Sequence, residues 1–201
     1  DTIYFSDLTT INSEELQLFL ERLEDGYIFS NAGISNLLEG DFFSWYCSEN
    51  QWGSDESQAI KAIIKTLEGY ANVSFSHKYE VVDIFKDLYI EIMPPEVRHS
   101  LGEYFTPPWL ADFVVKSSIS MVNREEWRAI DPCCGSGIFI VNLIKNIIGD
   151  TNIAELSPTQ KEKLLFGIID RVCGIDINPL SVLTARVSYF LAIFQLKGDN
   201  R

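Results

Sequence analysis

The sequence is poor in the residues that hold metals and disulfides. It has four cysteines and two histidines in 201 residues, and no two cysteines form a C-x-x-C pair. Zinc sites and disulfide frameworks use such clusters at recognisable spacings. We therefore predict reduced thiols and no metal site. The cysteines are Cys47, Cys133, Cys134 and Cys173. The histidines, His77 and His99, have no partner pattern near them and are predicted to be surface or packing residues.

Long hydrophobic runs are also missing. The densest apolar stretch, residues 181–196, is interrupted by polar side chains and falls short of the roughly 20 apolar residues that a membrane span needs. The first seven residues are acidic and lack the basic and apolar regions of a signal peptide. Position 1 is Asp1 rather than an initiator methionine, which indicates a piece of a longer protein. These absences predict a cytoplasmic protein with no membrane partner.

Basic residues are scarce, and the scarcity is uneven. The chain has 16 Lys and Arg against 29 Asp and Glu. Residues 1–100 contain 18 of the acidic and six of the basic residues, whereas residues 101–201 contain 11 and ten. Nucleic-acid affinity depends on Lys and Arg contacts to phosphates, so the first half cannot supply them. The composition predicts an acidic, mostly helical region over 1–100 and a second domain over 101–201.

What is present is an ordinary globular composition, with 46% hydrophobic and 22% charged residues, which excludes disordered and collagen-like classes. In the first half, Asn12 or Ser13 is predicted to cap one helix and Ser54 or Asp55 to begin another. A third helix is predicted over 81–92, before a pair of prolines. The apolar stripe of the second helix comprises Ile60, Ile63, Ile64 and Leu67.

The second half alternates helix and strand. The predicted elements are a helix capped by Thr106 and ending near residue 121, a strand over 127–130, a helix over 137–148, a helix starting with a capping box at Ser157, a strand over 172–175, and a helix capped by Asn178. This order is the beginning of an α/β parallel sheet. Two strands leave an open edge, which predicts that the isolated segment is either marginally stable or self-associated. In the last helix one narrow polar stripe, including Ser181 and Ser188, predicts that most of the circumference is buried.

Residues 131–137, Asp-Pro-Cys-Cys-Gly-Ser-Gly, follow the first predicted strand. Two glycines permit a tight turn and let a ligand approach the backbone. A P-loop is excluded because no Lys-Ser or Lys-Thr follows. A dinucleotide loop is disfavoured because Ile140 stands where the third small residue belongs.

An acid before the loop suits a ligand with a positive charge and no phosphate. S-adenosylmethionine has these properties: its ammonium requires a carboxylate, here Asp131, and its ribose a second acid. Asp176 follows the second predicted strand and supplies that acid, and Ile177 is placed to lie on the adenine. The alternative is a plain turn at the glycines and a helix start with an acid on its dipole.

Three segments, 98–107, 131–137 and 174–180, together resemble in order the first motifs of the N6-adenine DNA methyltransferases of bacterial restriction-modification systems. The resemblance covers about residues 83–195 and implies a class I, Rossmann-like, S-adenosylmethionine-dependent methyltransferase sheet preceded by a helical region. It implies that the cofactor is bound by Tyr104, Phe105 and Thr106 as a closing segment, by Asp131, Cys133, Gly135, Ser136 and Gly137 in the loop, and by Asp176 and Ile177 at the adenosine.

The family's Asn- or Asp-Pro-Pro-Tyr/Phe motif, which binds the flipped target adenine, does not occur in this sequence. We therefore expect no catalytic residue in this segment and no methyl transfer by it alone. The resemblance implies that DNA is bound through regions absent from this segment, together with a specificity or restriction subunit or a fused domain. A cytosine-C5 nucleophile at Cys133 is rejected, because the cysteine lies in the cofactor loop.

Two other functions stay open at this point. One is a non-catalytic module in which the methyltransferase-like part is a scaffold and the acidic helices bind a protein. The other is a methyltransferase that acts on RNA or protein.

Overall fold

The computed structural model of the protein describes residues 5–31, 34–35, 37–38, 44–68, 93–100, 104–122 and 127–196. The chain divides into two compact units, residues 1–75 and residues 76–201. The helix predicted over 81–92 and His77 lie outside the described residues. The domain boundary predicted at residue 100 stays a prediction.

The described residues of the first unit form helices and turns and no strand. Its helices are α1 (Ser13–Glu24), α2 (Tyr27–Asn31) and α3 (Ser54–Glu68), with 3₁₀ turns at Phe5–Thr9 and Ser44–Cys47. Asn12 begins α1 as predicted. Its Oδ1 accepts a hydrogen bond from the Glu15 N–H at 2.8 Å, and Glu15 Oε2 accepts the Asn12 N–H at 3.3 Å. This reciprocal pair is a capping box, and α3 begins at Ser54, also as predicted.

A small cluster of buried side chains holds the first unit together. It comprises Leu8, Leu16, Leu20, Cys47 and Ile64. The apolar stripe predicted for α3 is only partly buried. Ile64 is in the cluster and Ile60 packs against it, whereas Ile63 and Leu67 are more than half exposed.

The second unit is built from helices and two short strands. In order it contains α4 (Pro95–Ser100), α5 (Pro108–Ser120), β1 (Ala129–Asp131), α6 (Ile138–Ile148), a 3₁₀ turn (Ile153–Glu155), α7 (Pro158–Arg171), β2 (Val172–Gly174), α8 (Pro179–Ile193) and a 3₁₀ turn (Phe194–Leu196). Helix α6 is central, because α5, α7, α8 and both strands contact it. Its Ile144 and Ile148 are fully buried, as apolar side chains of a core helix are expected to be.

The two strands pair in parallel, with Ala129 opposite Val172 and Asp131 opposite Gly174. The pairing continues past the strands, because the Ile175 N–H donates to the Asp131 carbonyl at 2.8 Å. The prediction of an α/β fold with parallel strands is therefore confirmed, whereas the class I, Rossmann-like sheet stays a prediction. Both strands end at the same edge, so the loops that follow them lie side by side.

Thr106 does not cap α5, contrary to the prediction. The N-cap is Pro107, which makes no side-chain cap hydrogen bond, and Pro108 is the first helical residue. The reason lies in the proline pair. A residue before proline is excluded from the helical region, so Pro107, with ψ of 142°, stays extended and the helix begins one residue later.

The polar stripe of α8 faces inward, contrary to the prediction that the rest of the helix would be buried. Within α8 the buried side chains are Ser181, Ala185 and Ser188. At Ala185 a small residue is needed, because a Cβ built on Gly137 would lie 3.2 Å from the Ala185 Cα. The close approach of the α6 start to α8 therefore selects small side chains at the contact.

One helical stretch, Pro179–Leu196, has the length and apolar composition of a membrane span. Core helices pass the same test. Ala185 and Leu196 belong to the buried cluster of the second unit, whereas 22% of the stretch as a whole is buried. The expectation of no membrane span stays a prediction.

Candidate functional site at the carboxyl ends of the strands

The turn between β1 and α6 depends on two glycines in the left-handed region. Gly135 has φ of 52° and Gly137 has φ of 93°, values that other residues rarely adopt. The Gly137 N–H donates to the Cys134 carbonyl at 2.8 Å and closes the turn. A Cβ built on Gly135 would meet no atom within 4 Å. Gly137 is thus packed against α8, whereas Gly135 borders open space.

Asp176 ties this turn to the loop that follows β2. Its Oδ2 accepts a hydrogen bond from the Gly135 N–H at 2.8 Å, and its Oδ1 accepts one from the Asn178 N–H at 2.9 Å. Each carboxylate oxygen therefore holds a backbone donor, one from each loop. Sequence reasoning assigned Asp176 to a ribose and did not foresee this role. The bond to Asn178 is a local Asx turn, which the Asp-x-Asn spacing could have indicated.

Asp131 has a carboxylate whose capacity to accept hydrogen bonds is only partly used. Its Oδ1 accepts the Cys133 N–H at 3.2 Å, and its Oδ2 is buried and accepts no hydrogen bond within the described part of the chain. Burial raises the pKa of this carboxyl, the negative charge of Asp176 raises it further, and the Cys133 N–H acts in the opposite direction. A cationic donor beside Oδ2 would satisfy the orphaned oxygen.

The loop cysteines differ in their surroundings. Cys133 is exposed, whereas Cys134 is buried. Burial, with the nearby charges of Asp176 and Asp131, raises the pKa of the Cys134 thiol to about 11. A thiol with that pKa is protonated at neutral pH, so Cys134 cannot act as a nucleophile. The four cysteines are free thiols in the structure.

Two further predicted site residues differ in exposure. Ser136 is buried in the turn. Ile177 is 98% exposed, next to Asp176. A fully exposed isoleucine beside a loop with an open backbone is an apolar surface ready to contact a ligand.

The predicted closing segment, residues 104–106, makes its ring contacts with α4. The Tyr104 ring stacks on His99 with centroids 5.2 Å apart. The Arg98 guanidinium lies 5.7 Å from the Phe105 ring centroid. Thr106 is half-buried. The predicted approach of these three residues to a cofactor stays a prediction. The stacking of His99 agrees with its prediction as a surface or packing residue.

The arrangement at the strand ends is suited to a ligand with a cationic group. It offers one buried carboxylate oxygen that accepts no hydrogen bond from any described residue, an open backbone approach at Gly135 and an exposed apolar side chain at Ile177. Asp131, Gly135, Gly137, Asp176 and Ser136 are brought together by the two loops, and Ile177 adjoins them in the chain.

Comparisons with known proteins point to one family. The model of the N-6 DNA Methylase family matches residues 80–191. The chain is 29% identical over 122 residues to a protein of Streptomyces coelicolor named adenine-specific methyltransferase PglX. That match covers 58% of this chain and 9% of the length of the relative. No solved structure matches the chain. The family match spans more than half of the chain and contains both loops of the site, and the chain therefore belongs to the N-6 DNA methylase family.

Proposed function

We propose that this chain carries the S-adenosylmethionine-binding part of a methyltransferase that acts on N6 of adenine in DNA. The observation that carries the proposal is the orphaned Oδ2 of Asp131 beside the open backbone of Gly135. Both residues lie within the span matched by the family. The proposal includes a class I, Rossmann-like sheet of which β1 and β2 are part.

The residues present fit the cofactor. The ammonium of its methionine part is a donor that the buried Asp131 oxygen lacks, and the charge pair would strengthen that hydrogen bond. Gly135 leaves room for the methionine backbone, because no atom lies where a side chain would project. Ile177 would cover one face of the adenine. Asp176 keeps both loops in place, and its remaining lone pairs are acceptors for ribose hydroxyls.

The cofactor supplies an activated methyl group on its sulfonium. What this chain's residues contribute is orientation. Asp131 fixes the methionine end while the Asp176 hydrogen bonds fix the loops, so the transferable methyl is presented at one place. Positioning of this kind accounts for a large share of the rate in group transfer.

The target adenine needs an acceptor site that this sequence does not contain, because no Asn- or Asp-Pro-Pro-Tyr/Phe motif occurs in it. We expect the chain alone to bind the donor and not to methylate DNA. The proposal further places the whole protein in the cytoplasm, in a restriction-modification system, with a specificity or restriction subunit or a fused domain as partner. It also includes self-association through the open edge of the β1–β2 sheet.

A second candidate function rests on that same missing motif, namely a methyltransferase-like scaffold that binds a partner and no cofactor. Titration calorimetry of the chain distinguishes the two. The first proposal expects binding of S-adenosylmethionine and of its demethylated product, and no binding of NAD⁺, whose pyrophosphate the acidic loop repels. Absence of binding by both methionine-containing ligands would favour the scaffold.

A further inference from the structure

An open pocket of about 1000 Å³ lies at the end of the strands opposite to the candidate cofactor site. Trp127 and Arg128, which precede β1, form one wall. Asp170 and Arg171, at the end of α7, precede β2 and form another. These residues stand at the amino ends of the strands, whereas Asp131 stands at a carboxyl end. The pocket is therefore separate from the candidate cofactor site.

One face of α7 lines this pocket. Gln160, Lys163, Leu164, Gly167 and Arg171 all belong to it, and their spacing of three, four, seven and eleven residues is that of one helical face. Gly167 is unusual, because glycine is less favourable than alanine inside a helix. A Cβ built on it would meet no atom within 4 Å. Packing therefore does not require this glycine, which borders the open space of the pocket.

The described lining is basic in a protein of net charge −13. It contains three cations, Arg128, Lys163 and Arg171, and a single carboxylate, Asp170. Arg171 is held in place, since its Nε donates to the Trp127 carbonyl at 2.9 Å and its guanidinium lies 4.5 Å from the Trp127 ring centroid. This cation–π contact pre-organises the charge before any ligand arrives.

The other two cations are accessible to a ligand. Arg128 pairs with Asp170 at 2.7 Å, but both side chains are about two-thirds exposed or more, and such exposed pairs contribute little. Lys163 is exposed, and no hydrogen bond or ion pair to another described residue engages its ammonium. A phosphate could therefore contact both side chains without breaking a strong interaction.

From this geometry we propose that the pocket binds the phosphodiester backbone of a nucleic acid. Cations beside an aromatic ring are the chemistry that such backbones use. An open pocket favours an extended polyanion over a free nucleotide, because small-ligand sites bury most of the ligand surface. The inference does not rest on the proposed cofactor function, since none of its residues belongs to the loops at Asp131 and Asp176.

The test is fluorescence anisotropy of a short labelled DNA duplex with the 201-residue chain, without cofactor, between about 50 and 200 mM NaCl. Three phosphate contacts predict a slope of about −2.7 for log affinity against log salt. Lys163→Ala should weaken binding several-fold and make the slope shallower by about 0.9. Lys161→Ala, on the same helix but outside the pocket, should change neither. Asp170→Asn should strengthen binding several-fold, because it removes the competing carboxylate from Arg128.

The opposite results would overturn the proposal. The first is an absence of duplex binding, and the second is equal binding by the wild type and Lys163→Ala. The third is displacement of the duplex by ATP at matched phosphate concentration, because that result would assign the pocket to a small anion. Titration of Lys163→Ala with S-adenosylmethionine runs alongside. Unchanged cofactor binding in that variant would show that a loss of DNA affinity is local and independent of the proposed function.

Discussion

The Asp176 carboxylate accepts the Gly135 N–H at 2.8 Å across 41 positions of the chain. The bond joins the two loops that follow β1 and β2, and the second oxygen of the same carboxylate holds the Asn178 N–H. One acidic side chain thus sets the spacing between the turn into α6 and the turn into α8. Backbone hydrogen bonds join the same segments, from the Cys134 N–H to the Ile175 carbonyl at 2.9 Å and from the Ile175 N–H to the Asp131 carbonyl at 2.8 Å, and Asp176 adds a side-chain link to them.

Asp176→Asn should therefore destabilise the second unit. The amide keeps one acceptor oxygen and no charge, so one of the two backbone N–H groups loses its acceptor and the other keeps a neutral one. Hydrogen bonds to charged groups contribute about 1.5–3 kcal/mol, and we expect the free energy of unfolding in urea to fall by about 1–3 kcal/mol. The control is Asp170→Asn, which breaks only an exposed pair and should cost at most about 1 kcal/mol. Equal losses in the two variants would contradict the assignment.

The two loop glycines should respond differently to alanine. Gly137→Ala combines φ of 93° with an approach of 3.2 Å to the Ala185 Cα, so we expect a loss of about 2 kcal/mol or more in unfolding free energy. In Gly135→Ala the new Cβ meets no atom within 4 Å. This variant should be destabilised only by the strain of a left-handed backbone conformation, about 1 kcal/mol. Its new methyl group would instead occupy ligand space, and we expect S-adenosylmethionine affinity to fall about tenfold. Calorimetric binding by Gly135→Ala at wild-type strength would exclude a ligand above that residue.

The raised pKa of Asp131 makes stability depend on pH. Burial and the charge of Asp176 lift this pKa above its ordinary value of 3.8, so the native state holds the proton more tightly than the unfolded state. Stability contributed by this group falls as the pH rises from the ordinary pKa through the raised one, and stays lower above it. The amide of Asp131→Asn does not titrate, so it contributes no such pH dependence to the stability.

The melting temperature of Asp131→Asn should therefore exceed that of the wild type at neutral pH, and the advantage should vanish in acid, below the ordinary pKa. Thermal unfolding followed by circular dichroism at a series of pH values measures this. An advantage that persists unchanged in acid, or a variant less stable at neutral pH, would show that Asp131 is not a strained carboxylate.

Thr106→Ala should leave stability within about 0.5 kcal/mol of the wild type, because Pro107 and not Thr106 is the N-cap of α5. Asn178→Ala is the matched control. Asn178 Oδ1 accepts the Leu180 N–H at 3.0 Å at the start of α8, and losing such a cap costs about 1 kcal/mol. Chemical denaturation of both variants provides the comparison. A loss at Thr106 as large as that at Asn178 would contradict the observed helix start.

Local signals made much of this fold predictable. Helix starts at Asn12, Ser157 and Asn178 are set by side chains that bond the backbone two or three residues away, and the sequence contains that information directly. Short apolar runs in the sequence also predicted that one strand ends near Asp131 and the other near Asp176. The Thr106 error was also local, since the restriction that Pro108 imposes on Pro107 was overlooked.

Tertiary contacts account for what could not be predicted. Ser181 and Ser188 are buried on the same helix as Ala185, which lies against Gly137, and no periodicity encodes that contact. The stacking of Arg171 on Trp127 joins residues 44 positions apart, and it defines a pocket that the sequence analysis did not identify. At the site, the position of Asp131 between the first strand and the glycine turn could be predicted from the sequence, whereas the structural use of the Asp176 oxygens could not.

The most direct test of the central claim compares two ligands on Asp131→Asn by titration calorimetry. S-adenosylmethionine carries the ammonium that Asp131 is proposed to bind, and 5′-methylthioadenosine lacks the whole amino-acid part. Because the variant is expected to be at least as stable as the wild type, unfolding would not explain a loss. The account predicts that affinity for S-adenosylmethionine falls about tenfold or more, while affinity for 5′-methylthioadenosine stays the same. Equal losses for both ligands, or no loss for either, would contradict it.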